Sequence, residues 1–317
     1  MQRLVTDSTG TITLEPDAPA EDTLDAAVGF RQKFAAYVAL TKPRIIELLL
    51  VTTVPAMVVA AGAWPSSWLV VATLVGGALS AGGANAINCY LDRDIDEIMP
   101  RTRRRPLPAH RIEPANALAF GIVLGVIAFL FLWGAVNLLA AGLSTAALLF
   151  YVFVYTMGMK RATPQNIVIG GAAGAMPVLV GWAAVTNTVE LPAVAMFAIV
   201  FYWTPPHFWA LSMRYEKDYA AAGVPMMPVV YGKSETTKHI LLYSILLFAV
   251  CLVLFSVGKM GLIYLSTAVI LNTAFVAWAV RLWRKPTPGI AWGLFRFSIY
   301  YLAVLFAAMA VDAVVAF

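Results

Sequence analysis

Charge is scarce in this sequence. Of its 317 residues, 12% are Asp, Glu, Lys or Arg, about half the roughly 25% of an ordinary soluble domain. So few charges cannot clothe a water-exposed surface, which excludes the two soluble domains that the length alone would allow. Cysteine is nearly absent. Cys89 and Cys251 lie in or beside apolar segments without zinc or thioredoxin spacing, which argues against a disulfide framework and predicts two free thiols. Low hydrophobicity, the condition for disorder, is lacking too, and no repeat dominates. What is abundant is grease: 61% hydrophobic residues and a mean hydropathy of +0.80. The solvent for most of this chain is lipid.

The one sustained polar stretch is residues 1–34, with Asp7, Glu15, Asp17, Glu21, Asp22 and Asp25. It has no basic start leading into a short apolar core, so it reads as a loose tail and not a signal peptide. Residues 35–317 read as a single transmembrane domain. A spanning helix needs about 20 apolar residues. That window finds nine: about 44–63, 67–90, 114–134, 137–157, 164–184, 191–212, 240–258, 261–282 and 291–315. Such long continuous runs suit helices and not barrel strands. The fold class is therefore an all-α polytopic membrane protein, with the close third and fourth spans the weakest division.

The net charge of +5 is distributed by side. With nine spans, the gaps 91–113, 158–163, 213–239 and 283–290 share a face with the N-terminus and hold most of the 22 Lys and Arg residues. Lys259 alone falls clearly on the other face. The bias predicts a cytoplasmic N-terminus and a C-terminus across the membrane.

The basic gaps also hold acids. From Asn88 the chain reads Asn-Cys-Tyr-Leu-Asp-Arg-Asp-Ile-Asp96, and Arg101, Arg103, Arg104 and Arg105 follow. Steps of four turn a helix by about 400°, so Asn88, Asp92 and Asp96 share one face within about 80°. Clustered carboxylates need a cation among them, and their oxygens suit Mg²⁺. Guanidinium groups beside them suit phosphate oxygens, so the set fits a diphosphate. A topology signal or a solvated helix end is the plainer explanation, against which the whole run stands. In the gap after residue 212, Asp218 is the better metal candidate of the pair Glu216 and Asp218, and Arg214 shares its face. Just upstream, Pro205 and Pro206 predict a break within the sixth span that frees backbone carbonyls. His207 then sits about one turn inside the membrane, either as a functional group or satisfied by a freed carbonyl or water. Lys160 and Arg161 precede a proline-started helix whose free N–H groups favour anions, unless they are snorkelling topology charges. Before the first span, Thr41-Lys42-Pro43-Arg44 starts a helix, and Glu47 is either paired with a cation or turned to the same polar cavity.

The stretches Thr41–Arg44, Asn88–Leu107, Lys160–Gly171 with Gly181-Trp182, Pro205–Leu211 and Asp218–Gly232 resemble those of the UbiA-type intramembrane prenyltransferases, in particular the branch that farnesylates haem. The resemblance implies nine helices around a central cavity capped by two acidic loops. It implies Mg²⁺ held by Asp92 and Asp96 with Asn88 and Asp218, and a diphosphate held by Arg101, Arg105, Lys160, Arg161 and Arg214. It also implies farnesyl diphosphate and haem b as substrates, haem O as product, a bacterial-type inner membrane, and a haem A-forming enzyme as partner. Asn88, Asp92, Asp96, Asp218 and His207 are the catalytic candidates, His207 meeting the haem as iron ligand or as partner to a propionate. In the family the second loop usually offers a DxxxD pair; here Arg214 stands four before Asp218, which leaves the number of metal ions open. Another acceptor, such as a quinone precursor or another tetrapyrrole, is the near alternative. A transporter is the distant one, disfavoured because the polar residues gather at one face and not at the bilayer midplane.

Overall fold

In lipid an apolar run can satisfy its backbone only by closing its own hydrogen bonds, and in the computed structural model this chain does so as a bundle of long helices. The structure describes residues 4–6, 12–14 and 29–315, with residues 4–6, 12–14, 30 and 44–50 described in backbone only. Strands β1 (Leu4–Thr6) and β2 (Ile12–Leu14) pair antiparallel; the rest of the expected tail up to residue 28 lies outside the described residues. Helix α1 (Phe30–Leu40) packs Ala36 and Leu40 against Ala86, Cys89, Leu107 and Ile112.

Eight helices among the described residues are long and apolar enough to cross a membrane. They are α3 (Ser67–Leu91), α5 (Pro114–Ala135), α6 (Leu138–Met159), α7 (Asn166–Thr186), α8 (Leu191–Arg214), α11 (Gly232–Val257), α12 (Leu262–Arg284) and α13 (Pro288–Val315). Helix α2 (Pro43–Ala61) occupies the place of the first expected span. Three short helices cap the end where the basic gaps lie: α4 (Arg93–Ile98), α9 (Glu216–Ala221) and α10 (Met227–Val230).

Two departures from the sequence reading and one division that holds have physical causes. First, α11 begins at Gly232, eight residues before the apolar window opens. A hydropathy window sees grease, whereas the helix carries on into the polar Lys233–His239 stretch. Second, α8 runs unbroken through Pro205 and Pro206. The Thr204 hydroxyl donates to the Val200 carbonyl at 2.8 Å, and the Trp203 indole N–H ties this turn to the Ser298 carbonyl at 2.8 Å. Close packing and side-chain donors let a membrane helix tolerate proline. Third, the doubtful division between α5 and α6 is a true hairpin. Asn137 caps α6 by accepting the Ala140 N–H at 2.8 Å, and its amide donates to the Ala183 carbonyl at 2.8 Å.

Close approach sets the pairing of α3 with α5. A Cβ on Gly83 would lie 2.7 Å from the Gly121 carbonyl oxygen and 3.0 Å from the Gly125 nitrogen, so the two backbones meet as small-residue membrane helices do. Gly83→Ala is therefore expected to destabilise the fold by about 1–3 kcal/mol, read as a lower unfolding midpoint in detergent. An unchanged midpoint would mean that the helices part at no cost. At the far end, buried Asp312 accepts the Gly261 N–H at 2.5 Å and the Tyr264 N–H at 3.1 Å. It caps the start of α12 from α13, which explains an acid in an otherwise apolar segment. Cys89 and Cys251 are both free and buried.

Candidate active site

The walls of one cavity of about 370 Å³ come from α3, α6, α7 and α8, with Thr53 from α2. Helices α5, α11, α12 and α13 contribute no lining residue. Along α3 the lining positions Leu74, Gly77, Ala81, Ala84 and Asn88 recur every three or four residues, one helical stripe. The chamber is apolar in its body. Its charge is gathered at one end, where Lys42, Asn88, Asp96, Arg101, Arg105 and Lys160 line it.

That mouth is built from the spacing read in the sequence. Helix α3 ends at Leu91 and α4 starts at Arg93, but the backbone bonds from Asp92 to Asn88 (2.9 Å) and from Asp96 to Asp92 (2.9 Å) carry the helical register across the joint. Asn88, Asp92 and Asp96 therefore do share a face, and all three are buried, Asp92 at 0% and Asp96 at 1% exposure. Buried carboxylates demand partners. Lys160 bonds Asp92 directly. Asn88 donates to Asp92 at 2.7 Å and to the Thr156 hydroxyl at 3.1 Å. One guanidinium nitrogen of Arg105 reaches both oxygens of Asp96, at 2.9 and 2.7 Å. Asp94, pointing the other way, lies in solvent and takes both arms of Arg161 at 2.6 Å. The Arg161 fork holds its carboxyl down at about 2. Arg161 also stands 3.7 Å from Asp92, yet it does not line the cavity.

Lys42 is a residue that spacing alone passed over. It precedes Pro43 in the left-handed region (φ 53°) and turns its ammonium inward to the Asn88 side-chain Oδ1 at 2.7 Å. Burial pushes that ammonium down from the ordinary lysine range. The signal was a cation set directly before a helix-starting proline. Tyr151 and Tyr155, stacked at 5.3 Å on the wall below the mouth, were likewise unmarked, because aromatics in an apolar span carry no distinguishing pattern. They belong to Phe150–Met159, the π-helical last part of α6.

The two gap regions meet. Arg101 donates to the Tyr219 hydroxyl at 3.0 Å and lies over the rings of Tyr215 and Tyr219. Ile95 and Met99 share a core cluster with Val224 and Met226. Tyr219, Val224 and Met226 close the cavity at this end, whereas the neighbouring half-buried Asp218 does not line it. Arg214 is exposed and sits 4.5 Å over the Trp292 ring, away from the mouth. His207 is buried between Trp203 (4.3 Å) and Phe295 (4.6 Å) and is absent from the cavity wall. Its Nδ1 is 2.6 Å from the Ser298 hydroxyl, whose own hydrogen goes to the Phe295 carbonyl. Nδ1 is therefore the donor, and His207 is satisfied by a hydroxyl of α13 and not by a proline-freed carbonyl. The side chain of Glu47 lies outside the described residues.

Oxygen donors at the mouth suit a hard divalent cation, and the buried Asp92 Oδ1 has no hydrogen-bond partner to occupy it. Among the described residues no three acids or histidines converge as a metal cage. Mg²⁺ takes one or two carboxylates together with substrate phosphates and water, so it does not need such a cage.

A ring of apolar helices around a chamber whose single charged end mixes buried acids with cations defines an intramembrane protein that handles an amphiphile with an anionic head. The chain belongs to the UbiA prenyltransferase family, whose model matches residues 49–310. It is 53% identical over 308 residues to a protoheme IX farnesyltransferase of Parafrankia sp. (strain EAN1pec), covering 94% of this chain and 98% of that one. It is 56% identical over 288 residues to protoheme IX farnesyltransferase 1 of Saccharopolyspora erythraea, covering 90% and 92%. The fold matches that of digeranylgeranylglyceryl phosphate synthase with a TM-score of 0.75 at 18% identity, over 89% of this chain and 99% of that one. It also matches a UbiA homolog from Archaeoglobus fulgidus bound to DMAPP and Mg²⁺, with a TM-score of 0.58 at 17% identity over 87% and 99%.

Proposed function

We propose that this protein transfers the farnesyl group of farnesyl diphosphate to a vinyl group of haem b, with water supplying a hydroxyl, to give haem O. The observation that carries the donor half is the cavity with Lys42, Arg101, Arg105 and Lys160 around Asn88 and Asp96 at one end and apolar side chains along the rest. The acceptor is supported by the likeness, above half identity over nearly the whole chain, to protoheme IX farnesyltransferases.

The chemistry follows the charge. The bond between the first farnesyl carbon and the diphosphate oxygen breaks, and its electron pair leaves with the diphosphate. Lys42, Arg101, Arg105 and Lys160 stabilise that growing negative charge, in a place where little water competes. The faces of Tyr151 and Tyr155 stand below the mouth to receive the allylic cation, and the apolar wall limits its premature capture by water. The vinyl π pair then forms the new carbon–carbon bond. A water molecule adds to the cation left beside the porphyrin and releases a proton. Mg²⁺, when bound by Asp92, Asp96 and Asn88 with the diphosphate, supplies Lewis-acid neutralisation of the leaving group. Arg161, Arg214 and Asp218, like Asp92, stand outside the cavity wall; Arg161 braces Asp94 and Asp92 from outside, and Arg214 lies over Trp292. The same reading sets the mouth and the N-terminus on the cytoplasmic side of a bacterial inner membrane, with haem O passed to a haem A-forming enzyme.

The test is incubation of the purified protein in detergent with haem b, farnesyl diphosphate and Mg²⁺, followed by mass analysis. A haem that has gained a hydroxyethylfarnesyl group is the expected product. Unchanged haem, with a quinone precursor prenylated in its place, would overturn the acceptor.

A further inference from the structure

Glycine inside a helix costs about 1 kcal/mol relative to alanine, so each one asks for a reason. Most helical glycines around this cavity have one in packing. A Cβ on Gly76 would strike Leu132, one on Gly171 would press on Thr204 at 3.1 Å, and one on Gly181 would meet the Thr53 carbonyl oxygen at 2.7 Å. Gly77 on α3 and Gly174 on α7 differ. A Cβ at either would meet nothing within 4 Å, neither has a positive φ, and both line the cavity. Gly134 and Gly142 also face open space, and like Gly174 they are exposed, but neither lines the cavity. What Gly77 and Gly174 keep clear is the chamber itself.

Their depth is informative. Gly77 lies eleven residues before Asn88 on one continuous helix, about 16 Å along its axis. Gly174 lies eight residues into α7, about 12 Å, and the start of α7 is tied to the mouth by the Asn166 amide bonded to the Lys160 carbonyl at 3.3 Å. A farnesyl chain has twelve carbons in line, about 14 Å when extended, because each bond of about 1.5 Å advances about 1.25 Å along the zigzag axis. With its head among Lys42, Asn88 and Arg105, its third isoprene unit lies against Gly77 and Gly174.

We infer that Gly77 and Gly174 set the length of prenyl chain the protein accepts, by holding open the part of the chamber that the third isoprene unit fills. The inference rests on the donor half of the function proposed above. Filling that space with Leu leaves room for two units and not three. Even one methylene too many in a hydrophobic pocket discriminates by about 10–200-fold.

The experiment is binding of non-hydrolysable geranyl and farnesyl thiodiphosphates, with Mg²⁺, to the full-length protein and to Gly77→Leu, Gly174→Leu and Gly142→Leu. The geranyl-to-farnesyl affinity ratio is expected to rise at least tenfold in the first two and to stay at the wild-type value in Gly142→Leu. A ratio unchanged in Gly77→Leu and Gly174→Leu would overturn the inference, as would an equal rise in Gly142→Leu. If Gly77→Leu fails to fold, Gly77→Ala, which adds one methyl into open space, is expected to move the ratio in the same direction by a smaller factor; no movement there counts against the inference. Haem farnesylation by the wild type is measured alongside. Its absence with a shifted binding ratio would remove the acceptor assignment and leave the chain-length determinants standing.

Discussion

Asp92→Asn is expected to lower farnesyl transfer by about 10²–10³ or more, the size seen when one preorganised electrostatic group is removed from a reacting site, and Asp96→Asn is expected to do the same. The two acids hold different partners, Lys160 for Asp92 and Arg105 for Asp96, so each substitution releases a different cation from the mouth. Asp94→Asn is the internal comparison. Its carboxylate is exposed and pairs with Arg161 in solvent, where such pairs contribute about 0–1 kcal/mol, and turnover is expected to change less than about threefold. The measurement is kcat for haem O formation at saturating Mg²⁺. Full activity in both Asp92→Asn and Asp96→Asn would remove the metal and the electrostatic assignment together.

The second large effect is on stability as well as chemistry. Lys160→Met leaves Asp92 buried with its main cation gone, and breaking a buried pair from one side costs about 3–5 kcal/mol. Asp92→Asn with Lys160→Met removes both charges, and is expected to recover most of that stability while turnover stays lost. Chemical or thermal unfolding in detergent gives the first quantity, and product formation gives the second. If the double variant is no more stable than Lys160→Met alone, the two side chains are not coupled.

The architecture was legible because lipid allows few solutions. Eight long helices and α2 stand close to the nine apolar windows, since hydropathy and backbone satisfaction point to the same segments. The Asn88, Asp92 and Asp96 face was legible for a related reason: a period of four survives the joint between α3 and α4. What filled the space between those acids was not. Lys160 reaches Asp92 and Arg105 reaches Asp96, and a side chain arriving from 68 residues further along, as Lys160 does, leaves no local pattern. Lys42 escaped for the same reason, since its partner Asn88 is 46 residues away. Arg214 and His207 were marked by sequence position near the gap, but position along a helix does not fix which neighbour a side chain meets. Arg214 found Trp292, and His207 found Ser298, both on α13. Pro205 and Pro206 misled because their effect depends on what packs around them.

The wide turns of Phe150–Met159 carry one more consequence. In that stretch Thr156 donates to the Tyr151 carbonyl five residues back at 2.8 Å, as the Lys160 N–H does to Tyr155, so this stretch is wound more loosely than the half of α6 before it. The Thr156 hydroxyl and the Lys160 ammonium thereby point at Asn88 and Asp92. Excising a single residue here would rewind the segment and swing those two groups by about 100°. The number of residues between Leu149 and Lys160, and not only their identity, therefore fixes where the Thr156 and Lys160 side chains point.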